Sequence, residues 1–188
     1  YEDIGTHADH VHWAGAAGPH AANGRSDAMG GGHAHAGMLC YLGTSWPASY
    51  RNNLIIGNIH GQRMNVDLPV ARGSGYVGKH GQDLLNFNDR WSQTLNQRLD
   101  PDGSVFVIDW YDANQCHHGR DDGHDHSSGR IYKIVYENQP VIRTNLSTLT
   151  PNQLVSLVGS KNEWLSRHAR RVLQERVAAA GAQESVDE

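Results

Sequence analysis

The first two-thirds of the chain alternates apolar and polar residues in short segments, a pattern that predicts β-strands. Gly, Asn, Asp and Pro separate these segments, as they do in turn-rich β folds. The candidate strands are residues 38–43, 53–61, 62–70, 75–81, 104–112 and 130–137. In the fifth of them, the two-residue period of a strand places Val105, Val107 and Asp109 on one face. Asp109 therefore ends a strand whose neighbours on that face are apolar.

The remainder of the chain changes to a helical pattern. Thr150 and Gln153 form a capping box at the start of one short helix. Ser160 with Glu163 offers a second capping box, which opens a helix over about residues 161–180. Two antiparallel amphipathic helices with so short a connection are typical of the first unit of an α-solenoid.

This change of pattern divides the chain into two predicted domains. Residues 1–143 form the β part, and residues 144–188 form a helical region with an acidic tail. One helix pair cannot bury its own apolar face, and the chain opens in mid-pattern at Tyr1. We therefore expect a piece of a longer protein, with any export signal upstream of it.

Composition and charge exclude several classes of protein. Among 188 residues there are 21 Gly and 13 His and only 19% charged residues, which favours turn-rich β structure over a helical bundle. The net charge of -4 leaves no basic stripe to neutralise phosphates, so no nucleic acid partner is expected. No apolar run approaches the roughly 18 to 20 residues of a membrane span, so none is expected in this segment.

Two pairs of histidines are candidates for chemistry. His33 and His35 follow the glycine run 30–32, and His10 and His12 repeat the same spacing. Residues two apart in an extended segment point to the same side, roughly 6.5 to 7 Å apart, close enough to share a metal or a ligand oxygen. The alternative is that these imidazoles hydrogen-bond to neighbouring loops and hold the segment in place.

A third candidate lies at the end of the second predicted strand, where His60 and Arg63 occur together. A guanidinium binds carboxylates in a bidentate manner and also donates to sugar hydroxyls. A structural salt bridge within the sheet is the alternative interpretation of Arg63.

The segment 109–130 carries the densest chemistry of the chain, with Cys116 and His117 close after Asp109. It lacks the second cysteine of a CxxCH haem site and fits no standard zinc spacing. Residues 120–128 are predicted to form a solvated hairpin tip.

The segment 73–78 satisfies a GxGxxG pattern. A dinucleotide site needs a strand before it and a helix after it, and neither is predicted here. We expect Gly73, Gly75 and Gly78 to shape a bulged strand instead.

Several segments, in their order, resemble the membrane-bound dehydrogenase family, whose β-propeller is of the sorbosone or quinoprotein glucose dehydrogenase type. In many members HEAT repeats and a c-type haem domain follow the propeller. The segments that carry this resemblance are residues 9–15, 24–65, 73–81, 101–117, 129–136 and 146–176. By this resemblance the fold class is mainly β, with the last one to two blades of a propeller followed by a HEAT-like helical hairpin.

The resemblance implies quinone-dependent oxidation of a sugar or an alcohol, with a histidine as general base and an arginine orienting the cofactor. The implied cofactors are pyrroloquinoline quinone with calcium, and haem c only in a domain absent from this chain. The soluble relatives place their base and much of their calcium site in earlier blades, so those residues are not carried over, and the metal is unknown. The expected catalytic residues are His33, His35, His60 and Asp109, and the expected cofactor-binding residues are Arg63, Cys116 and His117.

The expected partners are a small sugar or alcohol substrate and the missing blades, HEAT repeats and haem domain of the parent protein. The parent protein is expected outside the cytoplasm, in the periplasm or at a membrane, and this segment alone is expected to be inactive. The alternative is a propeller and solenoid that binds a glycan or a protein without redox chemistry. Its histidines would then be structural or chelate a metal.

Overall fold

The structure is a computed structural model that describes residues 35–59, 61–89, 91–113, 124–139 and 143–187. Eight strands occur in this part of the chain: β1 His35–Cys40, β2 Leu54–Asn58, β3 Arg63–Arg72, β4 Gly75–His80, β5 Leu85–Asn86, β6 Thr94–Leu99, β7 Val105–Asp109 and β8 Arg130–Ile134. Two helices follow: α1 Pro151–Val158 and α2 Glu163–Asp187. Short 3₁₀ turns occupy Ala48–Tyr50 and Leu146–Thr148. The prediction of a mainly β chain with a carboxy-terminal helix pair is confirmed.

The first five strands form one antiparallel sheet in the order β1-β2-β3-β4, with β5 also paired to β3. Along β3 the two-residue period gives each face its own character. Arg63, Asn65 and Asp67 lie on one face, which we call the polar face, and Met64 and Val66 lie on the other, the apolar face. Both faces of this half of β3 are largely buried.

The apolar face of this sheet packs against β6 with very little space. A Cβ atom added at Gly57 would lie 2.8 Å from Thr94 Oγ1, and one at Gly37 would lie 2.8 Å from the Cα of Asn96. Gly37 also has a φ of +64° and occupies a bulge in the β1–β2 pairing. Gln97 Nε2 donates to the carbonyl oxygen of Ile55 at 2.7 Å. Glycines on one sheet therefore allow the backbone of the other to approach closely.

The second sheet has the order β6-β7-β8. Burial alternates along β7, with Val105, Val107 and Asp109 buried and Phe106 and Ile108 exposed, so the face predicted for Asp109 is confirmed. Strands β5 and β6 were not among the candidate strands.

The prediction of a bulged strand at residues 73–78 is wrong. β3 and β4 pair without interruption from Asp67 opposite His80 to Arg72 opposite Gly75. Gly73, with a φ of +60°, is the first residue of a two-residue hairpin turn, as type II′ turns require. The bulge of this sheet lies at Gly37 instead.

The helix pair begins as predicted. Thr150 Oγ1 accepts from the Gln153 backbone N–H at 3.3 Å, and Gln153 Oε1 accepts from the Thr150 N–H at 2.8 Å, so the first capping box is confirmed. The second helix starts differently from the prediction, because the Asn162 side chain accepts from the Trp164 N–H at 3.0 Å. Ser160 Oγ instead accepts from Asn162 N in the connecting turn. Asn162 is therefore the residue whose side chain caps α2.

The helices pack around a small apolar core built on Leu146, Leu154 and Ala169. Arg176 donates from its guanidinium to the carbonyl oxygens of Leu149 and Ser147, both at 2.8 Å. None of the described helices is both long and apolar enough to cross a membrane.

The described chain divides into two compact units. One contains the residues up to Tyr41 together with Asn52–Arg98 and Val105–Ile134, which include most of both sheets. The other contains the helices within Val135–Glu188 and two loop segments, Leu42–Arg51 and Leu99–Ser104. All candidate site residues that the structure describes belong to the first unit.

Candidate functional site

His35 and Arg63 lie in one row across the polar face of the first sheet. His35 is opposite Asn58, Asn58 is opposite Arg63, and Arg63 is opposite Asn86. Directly paired residues of neighbouring strands project to the same face of a sheet. His35 and Arg63 are therefore two strand spacings apart, roughly 10 Å, at the same end of the sheet.

A buried network holds Arg63 in place. Its Nη1 donates to Asp83 Oδ2 at 3.1 Å, and its Nε donates to the Gly61 carbonyl oxygen at 3.1 Å. Asn65 donates to the other oxygen of Asp83 at 2.9 Å and accepts from Asn58 at 2.9 Å. The salt bridge left open as an interpretation of Arg63 is thus present, and its partner is Asp83.

His80 adds a titratable group to the same network. Its Nδ1 lies 3.9 Å from Asp67 Oδ1 and its Nε2 lies 3.7 Å from Asp83 Oδ1. His80, Asp67 and Asp83 were not among the site residues predicted from the sequence. The signal was present, because Arg63, Asn65 and Asp67 alternate with apolar residues and so mark one polar strand face.

Asp109 lies in the other sheet and is surrounded by donors. Its Oδ1 accepts from the Gln93 backbone N–H at 2.6 Å and from the Tyr111 N–H at 3.3 Å. Its Oδ2 accepts from Ser92 Oγ at 3.2 Å and from Arg130 Nη2 at 2.9 Å. A general base needs a lone pair that can reach substrate. These contacts are those of a structural carboxylate, and they give the prediction of a catalytic role for Asp109 no support.

Arg130 links this carboxylate to an aromatic cluster. Its guanidinium lies 3.3 Å from the centre of the Tyr111 ring and 5.1 Å from that of Tyr132, and it also pairs with Asp89 at 3.3 Å. Partial burial alone would lower the pKa of Arg130, but the hydrogen bond to Asp109 and the charge of that carboxylate raise it above its usual value. Burial disfavours the charged form of Tyr132 too, and for a hydroxyl this raises the pKa.

Tyr111 has a φ of +53°, an uncommon conformation for a residue with a side chain. Its ring contacts the guanidinium of Arg130 and also the ring of Trp91, whose centre is 5.5 Å away. Such a backbone conformation costs on the order of 1 kcal/mol and persists where the surroundings impose it. The contacts of Tyr111 with Arg130 and Trp91 provide that constraint here.

A second buried carboxylate, Asp112, organises the residues after β7. Its Oδ2 accepts from Trp110 Nε1 at 3.1 Å and from the Asp125 backbone N–H at 3.0 Å, and His124 Nδ1 lies 3.0 Å away. The Gln93 side chain donates to the Asp112 carbonyl oxygen at 2.8 Å. One carboxylate thus fixes both an indole ring and the loop that leads into β8.

Four of the predicted site residues lie outside the described residues: His33, His60, Cys116 and His117. Of the three that are described, His35 and Arg63 share one row of the first sheet, and Asp109 lies in the other sheet with its own partners. In the part of the chain that the structure describes, no three His, Cys, Asp or Glu side chains are grouped so as to hold a metal ion.

These features define a protein with two antiparallel sheets, each carrying a buried charge network, and a helix pair. Residues 5–138 match a family described as a domain of unknown function, DUF7133. This match covers more than half of the chain, so the chain belongs to that family. No curated protein and no solved structure matched it. The family description states no activity, so function has to be argued from the residues.

Proposed function

We propose that this chain is the carboxy-terminal part of a β-propeller in a protein that oxidises a sugar or a related alcohol. Strands β1–β4 pair in sequence order, which is the form of a propeller blade. Strands β6–β8 would be three strands of the next blade, and β6 packs on Gly37 of β1 and Gly57 of β2. The helix pair would then be the first HEAT-like repeat.

The observation that carries the proposal is the shared row of His35 and Arg63. In a propeller the first strand of each blade lines the central funnel, and His35 is the first residue of β1. His35 would accept the proton of the substrate hydroxyl, and Arg63, held by Asp83, would fix the neighbouring loop through its bond to Gly61. Arg63 is then a positioning residue rather than a cofactor ligand.

Neither Arg63 nor Arg130 fits the role of a quinone ligand. Pyrroloquinoline quinone carries several carboxylates, whereas the positive charge of Arg63 is paired with Asp83 and that of Arg130 with Asp109 and Asp89. Calcium takes oxygen ligands, above all carboxylates, and the described residues contain no group of three Asp or Glu side chains that could hold it. We therefore place the quinone, the calcium and any haem on other parts of the parent protein, and assign this chain to the substrate side of the site. An extracytoplasmic location belongs to the same proposal.

Activity of the full-length protein tests this proposal. The protein, supplied with pyrroloquinoline quinone and calcium, is expected to reduce an electron-accepting dye when a substrate from a panel of sugars and alcohols is added. His35→Gln should lower kcat at least tenfold, because general-base catalysis contributes about 10²- to 10⁴-fold. His168→Gln, a histidine of α2 whose ring stacks on Trp164, is the matched control and should stay active. Inactivity on the whole panel, or full activity of His35→Gln, would contradict the proposal.

The second candidate function is binding of a glycan or a protein partner without redox chemistry. The paired charges of Arg63 and Arg130 favour it, because both arginines act within the fold. Binding that persists in cofactor-free protein treated with a chelator, with no dye reduction on any substrate, would support this second function over the first.

A further inference from the structure

An open cavity of about 440 Å³ lies beside the end of β7, between β8 and the loop that precedes it. Its apolar wall is formed by Ile108, Trp110 and Ile131, and its polar residues include Asp125 and Arg130. Ile108 and Ile131 are direct cross-strand partners, so their side chains form one continuous surface. The volume falls in the range of about 300 to 1,000 Å³ that is usual for small-molecule sites.

The indole of Trp110 is exposed and yet fixed. Its side chain is 43% exposed, while its Nε1 donates at 3.1 Å to Asp112, which is 0% exposed. The same carboxylate oxygen accepts from the Asp125 backbone N–H, so the rim of the cavity and its aromatic wall share one anchor. An exposed ring that is already oriented loses little entropy when a ligand stacks on it.

The charges around the cavity select against anions. Of the charged residues that line it, Asp109 and Arg130 pair with each other at 2.9 Å, so the negative charge of Asp125 remains, with histidine neutral. Asp125 accepts hydrogen bonds from Ser127 and Ser128, which lower its pKa to about 2 and keep it ionised at neutral pH. A carboxylate acceptor beside an aromatic platform matches a ligand that has both hydroxyls and an apolar face.

We propose that this cavity is a second, non-catalytic binding site for a neutral carbohydrate, with a pyranose ring stacked on Trp110 and a hydroxyl hydrogen-bonded to Asp125. The site lies in the second sheet, apart from the row of His35 and Arg63, and it does not depend on the proposed oxidation. It would hold a polymeric or oligomeric glycan near the protein.

Calorimetric titration of cofactor-free full-length protein tests this site, with cellobiose as the neutral probe and glucuronate as the anionic one. Saturable binding of cellobiose, tighter than that of glucuronate, is expected for the wild type. Trp110→Ala should weaken cellobiose binding roughly tenfold or more, because stacking and apolar contact are both removed. Trp91→Ala is the matched control, since Trp91 is 41% exposed but lies outside the cavity lining, and it should bind as the wild type does.

Asp125→Asn keeps an oxygen for the Ser127 N–H and so tests the site without loss of the turn. It should also weaken cellobiose binding, and neither Trp110→Ala nor Asp125→Asn should change sugar-dependent dye reduction. Absence of saturable binding by the wild type, equal loss in the two tryptophan variants, or unchanged affinity of folded Asp125→Asn would overturn this inference. Loss of dye reduction in Trp110→Ala would also contradict it, whereas failure of the wild type to reduce dye would count against the proposed oxidation alone.

Discussion

At the scale of single residues, the two buried carboxylates of the second sheet act as anchors for the chain around them. Asp109 accepts from the backbone N–H groups of Gln93 and Tyr111 and pairs with Arg130. Asp112 fixes an indole and a loop. The sequence could indicate that Asp109 ends a strand among apolar neighbours, but apart from Tyr111 its partners are 16 to 21 residues away and carry no local signal.

Asp109→Asn should destabilise the protein strongly. An amide in place of the carboxylate turns an N–H donor toward Arg130 or the Gln93 N–H, and breaking a buried ion pair costs about 3 to 5 kcal/mol. Asp89→Asn is the control, because Asp89 also pairs with Arg130 but is about one-third exposed and should cost under about 1 kcal/mol. Urea unfolding of both variants measures the difference. Equal losses would show that Asp109 is not the anchor of this network.

Asp125 gives a prediction about pH. Its pKa is about 2, below the ordinary value of 3.8, mainly because the Ser127 and Ser128 side chains donate to it. A depressed carboxyl pKa adds stability at pH values above 3.8, and this is lost as the pH falls toward 2. Ser127→Ala should therefore raise the pKa of Asp125, as measured by NMR titration, whereas Ser147→Ala, at a similar turn elsewhere, should not move it. An unchanged pKa in Ser127→Ala would contradict this cause.

At the scale of strands and helices, local sequence patterns predicted an element correctly where its buried residues are also its apolar ones. The alternation in β7 and the capping box at Thr150 were both readable from the sequence. β6 could not be predicted from the sequence, because the residues that it buries against the first sheet are polar. Thr94 and Gln97 are buried there, and Gln97 donates to the carbonyl oxygen of Ile55. A strand buried through hydrogen bonds over a long sequence separation gives no apolar period to detect.

The close contact between β6 and the first sheet can be tested at two glycines. Gly37 and Gly73 both have φ near +60°, but an added Cβ meets Asn96 and Leu95 at Gly37 and nothing within 4 Å at Gly73. Gly73→Ala should cost only the backbone term, about 1 kcal/mol. Gly37→Ala should cost more than about 3 kcal/mol, because strand β6 must also move. Thermal or urea unfolding compares them, and equal losses would mean that the sheets are not in close contact at Gly37.

At the scale of the whole molecule, the order of the motifs, the antiparallel pairing of β1–β4 and the helix pair all agree with the propeller and helical repeat that we propose. The sequence predicted a mainly β fold followed by helices, and this level of architecture is confirmed. The candidate site could be predicted only in part, since His35 and Arg63 meet in one row through pairings with Asn58 that only the strand register defines. Asp83, the charged partner of Arg63, is 20 residues away in the sequence, and only the folded sheet brings the two side chains into contact.

We propose above all that this chain belongs to a propeller whose funnel contains His35, and an experimental structure of the full-length protein is the sharpest test. In that structure β1–β4 should form one blade and β6–β8 part of the next, with β1 and β6 innermost around a common axis and His35 facing the funnel. A structure in which the two sheets close on each other as a sandwich, with no further blades and His35 away from any central funnel, would contradict it.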